Sequence, residues 1–164
     1  MNQSYFGKYR GVVTDIDDPA HLGRLRARVP DVLGDVQCGW ALPCFPIAGK
    51  NQGLVTVPSV GAWVWIEFEH GDPSYPIWSG SFYLDEQNVP EQAKDKAQEK
   101  IVLKSAGGHL LLFDDDAGSI TIQTADGQKL VLNKDGIELD NGSGATIKLA
   151  SNKVAINGDA LEVQ

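Results

Sequence analysis

The sequence predicts an all-β protein in which a small barrel is followed by a β-repeat, and two observations indicate this. The first half of the chain holds short runs in which apolar and polar residues alternate, and it has no helical periodicity. In the second half, pairs of apolar residues two positions apart recur every seven to ten residues. Alternation of this kind is typical of strands, because successive side chains of a strand point to opposite faces.

The composition changes near residue 90, which indicates two architectures in the 164-residue chain. All eight prolines lie at or before Pro90, and all four tryptophans lie before Leu84. We therefore assign residues 1–84 to the barrel, residues 85–100 to a polar connector and residues 101–164 to the repeat. The connector has no apolar stripe that would hold a helix against a core, so we expect it to be solvated.

Five or six short strands in the first half favour a closed antiparallel barrel of the OB type. The strongest strand places Val64, Ile66 and Phe68 on one face and two tryptophans on the other. Prolines confine residues 40–47 to a sheet edge. The predicted strands are residues 9–16, 24–29, 40–47, 54–57, 60–69 and 75–83.

The repeat predicts strands that stack around a shared core. Glycine-containing turns separate most of the apolar pairs, and two apolar residues per strand cannot be buried within one short hairpin. Stacked units must close around a core either within one chain or among several. Because each unit is too short for a full coil, we predict an intertwined trimeric β-helix, a β-prism of three chains. The eight pairs are Ile101/Leu103, Leu110/Leu112, Ile120/Ile122, Leu130/Leu132, Ile137/Leu139, Ile147/Leu149, Val154/Ile156 and Leu161/Val163.

Two motifs in the barrel half carry a resemblance. Within residues 57–83, the segment from Pro58 to Tyr83 follows the pattern P-x-x-G-x-x-V-x-V-x-F-E-x-G-D-P-x-x-P-x-x-x-G-x-x-Y, with Ile66 at the second valine position. Residues 11–30 follow G-x-V-x-x-x-x-D-P-x-x-x-G-R-L-x-x-R-V-P. Together with the repeat, these motifs resemble the central spike proteins of contractile injection systems, the family that includes phage baseplate assembly protein V and VgrG.

The resemblance implies a structural, membrane-puncturing spike at the centre of a baseplate, and no enzyme. Such a spike is a homotrimer that transmits the force of contraction and contacts the target membrane transiently. It connects a separate trimeric hub protein, bound at the barrel end, to a tip protein at the other end. The alternative is an OB-type module for nucleic acid or carbohydrate on a β-solenoid stalk. The sequence does not distinguish a phage tail, a tailocin, an extracellular injection particle and a type VI system, although the absence of long extra domains favours a free-standing small spike.

The last predicted strand points to a binding site for the tip. No His-x-His motif lies near it to hold a metal, and its apolar pair leaves the prism end uncapped. An open strand edge with apolar side chains favours association. We therefore expect a tip protein of the PAAR type, carrying any metal itself, to bind Leu161, Glu162, Val163 and Gln164.

Other acidic and histidine residues are interpreted as surface groups, so no catalytic, cofactor-binding or metal-binding residue is predicted. Glu67 and Glu69 have a spacing that could mimic a glycosidase pair. His70 with Asp72 lacks a third metal ligand, and residues 114–116 lack the spacing of a calcium loop. We expect turns and solvent-facing carboxylates at these positions.

The charge distribution argues against nucleic acid as a partner. Arg24, Arg26 and Arg28 alternate along one strand and could face an oligonucleotide, but the net charge is −8, and nucleic-acid affinity comes largely from basic contacts to phosphate. Cys38 and Cys44 fit reduced thiols, because their spacing matches no usual zinc site.

The first residues lack the pattern of a signal peptide, so we expect synthesis in the cytoplasm and assembly into the baseplate of a virion or tail-like particle.

Overall fold

The structure is a computed structural model that describes residues 4–158 and 160–163. The chain divides into two units, residues 1–84 and residues 85–164. Strands dominate both units, and the helical segments in the described residues are single turns. The predicted all-β class is therefore confirmed.

A curled five-stranded sheet and a separate two-stranded hairpin form the N-terminal unit. The elements are β1 (Tyr9–Asp15), β2 (Arg26–Arg28), α1 (Pro30–Leu33), β3 (Leu42–Pro43), β4 (Ala48–Gly49), β5 (Gln52–Gly53), β6 (Trp63–Phe68), a 3₁₀ turn at Glu69–Gly71, and β7 (Pro76–Phe82). The strand order of the sheet is β2-β1-β6-β7-β3, and β4 and β5 form the hairpin. The strands of the sheet pair antiparallel except β3, which runs parallel to β7.

The barrel core follows from the alternation in β6. Val64 and Ile66 are fully buried and Phe68 is nearly so. Trp63 and Trp65, which alternate with them along the strand, are half-buried on the outer face. The predicted inner face of this strand is therefore confirmed. The other core residues come from neighbouring segments and are Val13, Leu25, Ala27, Val29, Cys38, Ala41 and Trp78.

Two local predictions for the N-terminal unit were wrong. Residues 54–57 form no strand, because only Leu54 bonds back to the neighbouring segment, through its N–H to the carbonyl oxygen of Ile47 at 3.1 Å. The second error is that we predicted no helix in this half of the chain. The predicted strand at residues 24–29 is followed directly by α1. Pro30 begins this turn, where the lack of an N–H costs nothing, and Leu33 N–H donates to Val29 at 2.8 Å.

An eight-stranded antiparallel sheet forms the C-terminal unit, in which each strand pairs with its neighbours along the chain. Each of the eight predicted apolar pairs lies on its own strand. The strands are β8 (Lys100–Lys104), β9 (Leu110–Asp114), β10 (Ser119–Gln123), β11 (Lys129–Asn133), β12 (Gly136–Asp140), β13 (Thr146–Ala150), β14 (Lys153–Ile156) and β15 (Leu161–Val163).

The connector makes specific contacts with the turn that follows β9. It consists of three 3₁₀ turns, Glu86–Asn88, Glu91–Ala93 and Ala97–Glu99. Asp115 N–H donates to the carbonyl oxygen of Glu99 at 2.8 Å, and the Lys96 ammonium lies 2.6 Å from the Asp116 carboxylate. Most residues of the connector are nevertheless exposed and none of them is buried, so these contacts order a segment that remains solvated.

Candidate functional site

The register of the C-terminal sheet collects its aliphatic residues on one face. Residues directly opposite each other in antiparallel strands share a face. Ile120 lies opposite both Phe113 and Leu132, and the same alignment continues through every strand. We call this surface the apolar face. Its members are Ile101, Leu103, Leu111, Phe113, Ile120, Ile122, Leu130, Leu132, Ile137, Leu139, Ile147, Leu149, Val154, Ile156 and Leu161.

Strand β9 joins the apolar face through residues other than those predicted. Leu111 lies opposite Leu103, and Phe113 lies opposite Ile101, so these two residues belong to the face. The assignment of Leu110 and Leu112 to it was wrong. Four consecutive apolar residues open β9, and alternation alone cannot decide which of them face the core; pairing with β8 and β10 decides it.

The opposite face of the sheet is largely polar and carries ion pairs between neighbouring strands. Lys100 lies 3.9 Å from Asp114, and Lys129 lies 3.8 Å from Asp140. An apolar cluster interrupts this face only near β9, where Leu110 is 8% exposed. The sheet is therefore continuously apolar on one side alone.

In the single chain the apolar face is open to solvent. Ile101 is 64% exposed and Ile122 is 50% exposed, and several other members exceed one third. Burying a leucine or isoleucine fully contributes about 1.5–3 kcal/mol. The face also contains a groove of about 540 Å³ between Ile122, Leu139 and Ile156. Contiguous apolar surface of this extent marks an association site, and the groove offers room for aliphatic side chains of another chain.

In the N-terminal unit, the D-P-x-x-x-G-R segment folds around the carboxylate of Asp18, which is 8% exposed. This carboxylate accepts backbone N–H donors from Ala20 at 3.0 Å, Leu22 at 2.7 Å and Arg24 at 3.2 Å. The Arg24 guanidinium donates to it twice, at 2.9 and 2.6 Å. The Arg24 hydrogen bond holds the pKa of Asp18 well below its usual range; burial opposes this effect and the backbone donors add to it. Position 23 requires a glycine (φ +73°), because a side chain there would clash with the ring of Phe45.

Two of the three candidate nucleic-acid arginines are engaged within the chain. Arg24 pairs with Asp18, and the guanidinium carbon of Arg26 lies 4.8 Å from the centroid of the Trp40 ring. Arg28 is exposed. Arg26 Nε is buried and has no hydrogen-bond partner among the described residues. The three arginines therefore do not form a free basic strip along the strand.

The two candidate glycosidase carboxylates lack the required pairing. Glu67 lies 3.0 Å from the Lys8 ammonium. The hydrogen bond from Lys8 lowers the pKa of Glu67, burial raises it, and a hydrogen bond with Ser79 lowers it further. A lowered pKa is the opposite of what a general acid needs. Glu69 lies in the 3₁₀ turn that follows β6 and is exposed.

The remaining acidic residues and the thiols form no metal site in the part of the chain that the structure describes. Asp72 accepts the N–H of Ser74 at 2.9 Å inside the turn. The hydrogen bond from Lys96 lowers the pKa of Asp116. Cys38 is buried, which raises the pKa of its thiol, and Cys44 is exposed.

Three of the four predicted tip-binding residues lie on β15 (Leu161–Val163), at the edge of the described sheet. Leu161 is 53% exposed, and the strand pairs only with β14 among the described strands. Glu162 and Val163 belong to the same strand. Gln164 lies outside the described residues.

Comparison with known families accounts for both units. Residues 9–83 match a family model described as the type VI secretion system and phage-baseplate injector OB domain, and residues 100–162 match the phage baseplate V C-terminal trimerisation domain. The chain belongs to the baseplate V family. This confirms the OB barrel and the resemblance to spike proteins, and the trimerisation domain supports a homotrimer.

Relatives of this baseplate V chain include VgrG proteins. The type VI secretion system spike proteins VgrG1c and VgrG1a of Pseudomonas aeruginosa are each 46% identical over 43 residues, which is 26% of this chain and 6% and 7% of theirs. The protein named actin cross-linking toxin VgrG1 of Vibrio cholerae is 26% identical over 137 residues, 79% of this chain and 12% of its own. The chain therefore spans a small part of the relatives that it matches. No helix among its described residues is long and apolar enough to cross a membrane.

Proposed function

We propose that this baseplate V protein is a membrane-puncturing spike at the centre of a contractile tail or injection particle. The observation that carries the proposal is the apolar face, which extends along a sheet that belongs to a trimerisation domain. Membership of a family of structural spikes supports the role, and the buried carboxylate of Asp18 closes a loop together with Arg24.

In the trimer the three apolar faces meet on a common axis. Eight strands at a spacing of about 4.7 Å give a prism on the order of 35 Å long. Backbone hydrogen bonds run between all successive strands, and the dry aliphatic core resists bending. Such a body transmits the force of sheath contraction to the target membrane without chemistry of its own.

Partners act at both ends of the spike. A separate trimeric hub protein binds the barrel formed by residues 1–84, residues 85–100 connect the barrel to the needle, and residues 101–164 form the needle. A PAAR-type tip protein binds at β15, whose free edge can pair with an added strand. The assembly belongs to the baseplate of a virion or a tail-like particle.

Light scattering tests the oligomeric state directly. The purified full chain should have a mass of three times 17.7 kDa, and a stable monomer at micromolar concentration would contradict the proposal. Purification of the spike from cells that make the complete particle tests the role. Capture of tube, sheath or hub components supports it, whereas their absence from a trimeric spike contradicts a place in the baseplate.

A further inference from the structure

The hairpin of β4 and β5 stands apart from the sheet of the barrel. Its two strands pair only with each other among the described strands, and its turn contains Lys50 and Asn51, the latter at φ +57°. A two-stranded hairpin by itself is at best marginally stable in water. We call residues 47–55 the arm.

Aliphatic side chains of the arm face solvent. Ile47 is 60% exposed, Leu54 is 51% exposed and Val55 is 66% exposed. The exposed surface continues at the base of the arm, where Val57 lies against Gly23 and Leu22 is 55% exposed. An exposed aliphatic surface on an otherwise unsupported hairpin indicates a contact with another protein surface.

The charge of the arm complements a groove on the same barrel. Lys50 is the only charged residue between Asp35 and Glu67, and the structure shows no ion pair for it among the described residues. A groove of about 370 Å³ is lined by Ile16, Asp17, Asp18, Pro19, His21 and Gly23. Asp18 in this groove is already paired with Arg24, whereas Asp17 is exposed and shows no ion pair within the described chain.

We propose that the arm of each protomer packs into the groove of the next protomer in the trimer, with Lys50 facing Asp17. In a cyclic trimer, each interface joins one surface of a chain to a different surface of the next chain. The arm and the groove are two such surfaces. The occupant is a second copy because the trimerisation domain tethers three barrels through short connectors and so raises their local concentration. The inference therefore rests on the trimer proposed above.

Hydrogen exchange of the full-length trimer tests this contact. Lys50→Glu and Asp17→Lys should each speed the exchange of the arm amides by about tenfold or more, and the double variant should restore protection. Asp35→Lys, at an exposed aspartate outside the groove, should change nothing. Val55→Ser should also loosen the arm, whereas Val36→Ser should not, although the two valines are similarly exposed at 66% and 68%.

Light scattering and the hydrogen exchange of the β1 and β6 amides are measured on the same samples. Loss of the trimer, unfolding of the barrel and absence of the arm contact can then be told apart. A chain that does not trimerise contradicts the proposed function. An intact trimer with a folded barrel and an unprotected arm overturns the arm contact alone. Protection that persists in a full-length monomeric variant such as Leu132→Asp, or that arises only when hub protein is added, also overturns it.

Discussion

At the scale of single residues, Asp18 shows how a family motif becomes a structural feature. Its carboxylate closes a loop by accepting three backbone N–H groups and the Arg24 guanidinium. A charged acceptor of this kind forms hydrogen bonds stronger than neutral ones. Replacing it with an amide removes the charge and leaves donors without an equivalent acceptor.

We expect Asp18→Asn to lower the melting temperature of the barrel at pH 7. The pKa of Asp18 is depressed in the folded chain, so its contribution to stability is present above the ordinary aspartate pKa of 3.8 and is lost as the pH falls further. The difference between wild type and variant should therefore shrink below about pH 4. All four tryptophans lie in the first 84 residues, so tryptophan fluorescence reports barrel unfolding.

Asp35→Asn provides the control for this experiment, because Asp35 is exposed and has no ion pair in the described part of the chain. It should leave the melting temperature unchanged at both pH values. A difference for Asp18→Asn that persists undiminished in acid would show that the carboxylate charge does not hold the loop.

At the scale of secondary-structure elements, the needle strands other than β9 present one apolar and one largely polar side. Leu132 and Asn133 are adjacent on β11 and lie on opposite faces. Leu132→Asp would bury three carboxylates around the trimer axis, with desolvation and repulsion costing several kcal/mol per layer. We expect this variant to dissociate or to become sensitive to protease beyond residue 100.

Asn133→Asp adds the same carboxylate one position away and should keep the trimer, because its side chain lies on the solvent side. Light scattering and limited proteolysis of both variants make the comparison. A protease-resistant trimer for Leu132→Asp would mean that the apolar face does not line the axis.

Strand β9 allows a finer test of the register. Phe113→Ser should weaken the trimer by about 3 kcal/mol or more for each protomer, since a large buried aromatic side chain is lost from the axis. Leu112→Ser should leave the trimer intact, because Leu112 lies on the other face. Light scattering on dilution measures the stability of both trimers. A larger loss for Leu112→Ser than for Phe113→Ser would show that Leu110 and Leu112 belong to the apolar face, as alternation alone suggested.

At the scale of the whole molecule, we expect each chain to associate, because its apolar face is open to solvent when the chain is alone. The tip proposal extends this reasoning to β15. Deleting residues 161–164 should abolish capture of a PAAR-type tip while light scattering still shows a trimer held by β8 to β14. The pure spike should hold no stoichiometric iron or zinc. Unchanged tip binding, or metal in the isolated trimer, would contradict this prediction.

The sequence alone determined the features that depend on local alternation. The inner face of β6 and the eight needle strands could be predicted because a strand with one buried side repeats its apolar residues at every second position. Gly-containing turns marked where most strands end. Two motifs of fixed spacing identified the family, which the family models then confirmed.

The tertiary structure alone decided what depends on pairing between distant segments. Leu111 and Phe113 belong to the apolar face because of their register with β8 and β10, and four consecutive apolar residues conceal that register. Arg24 binds Asp18 rather than facing outward because the loop brings them together. The connector is held by Glu99 and Lys96 against residues of the turn after β9. Such contacts arise from long-range geometry, which a period in the sequence does not record.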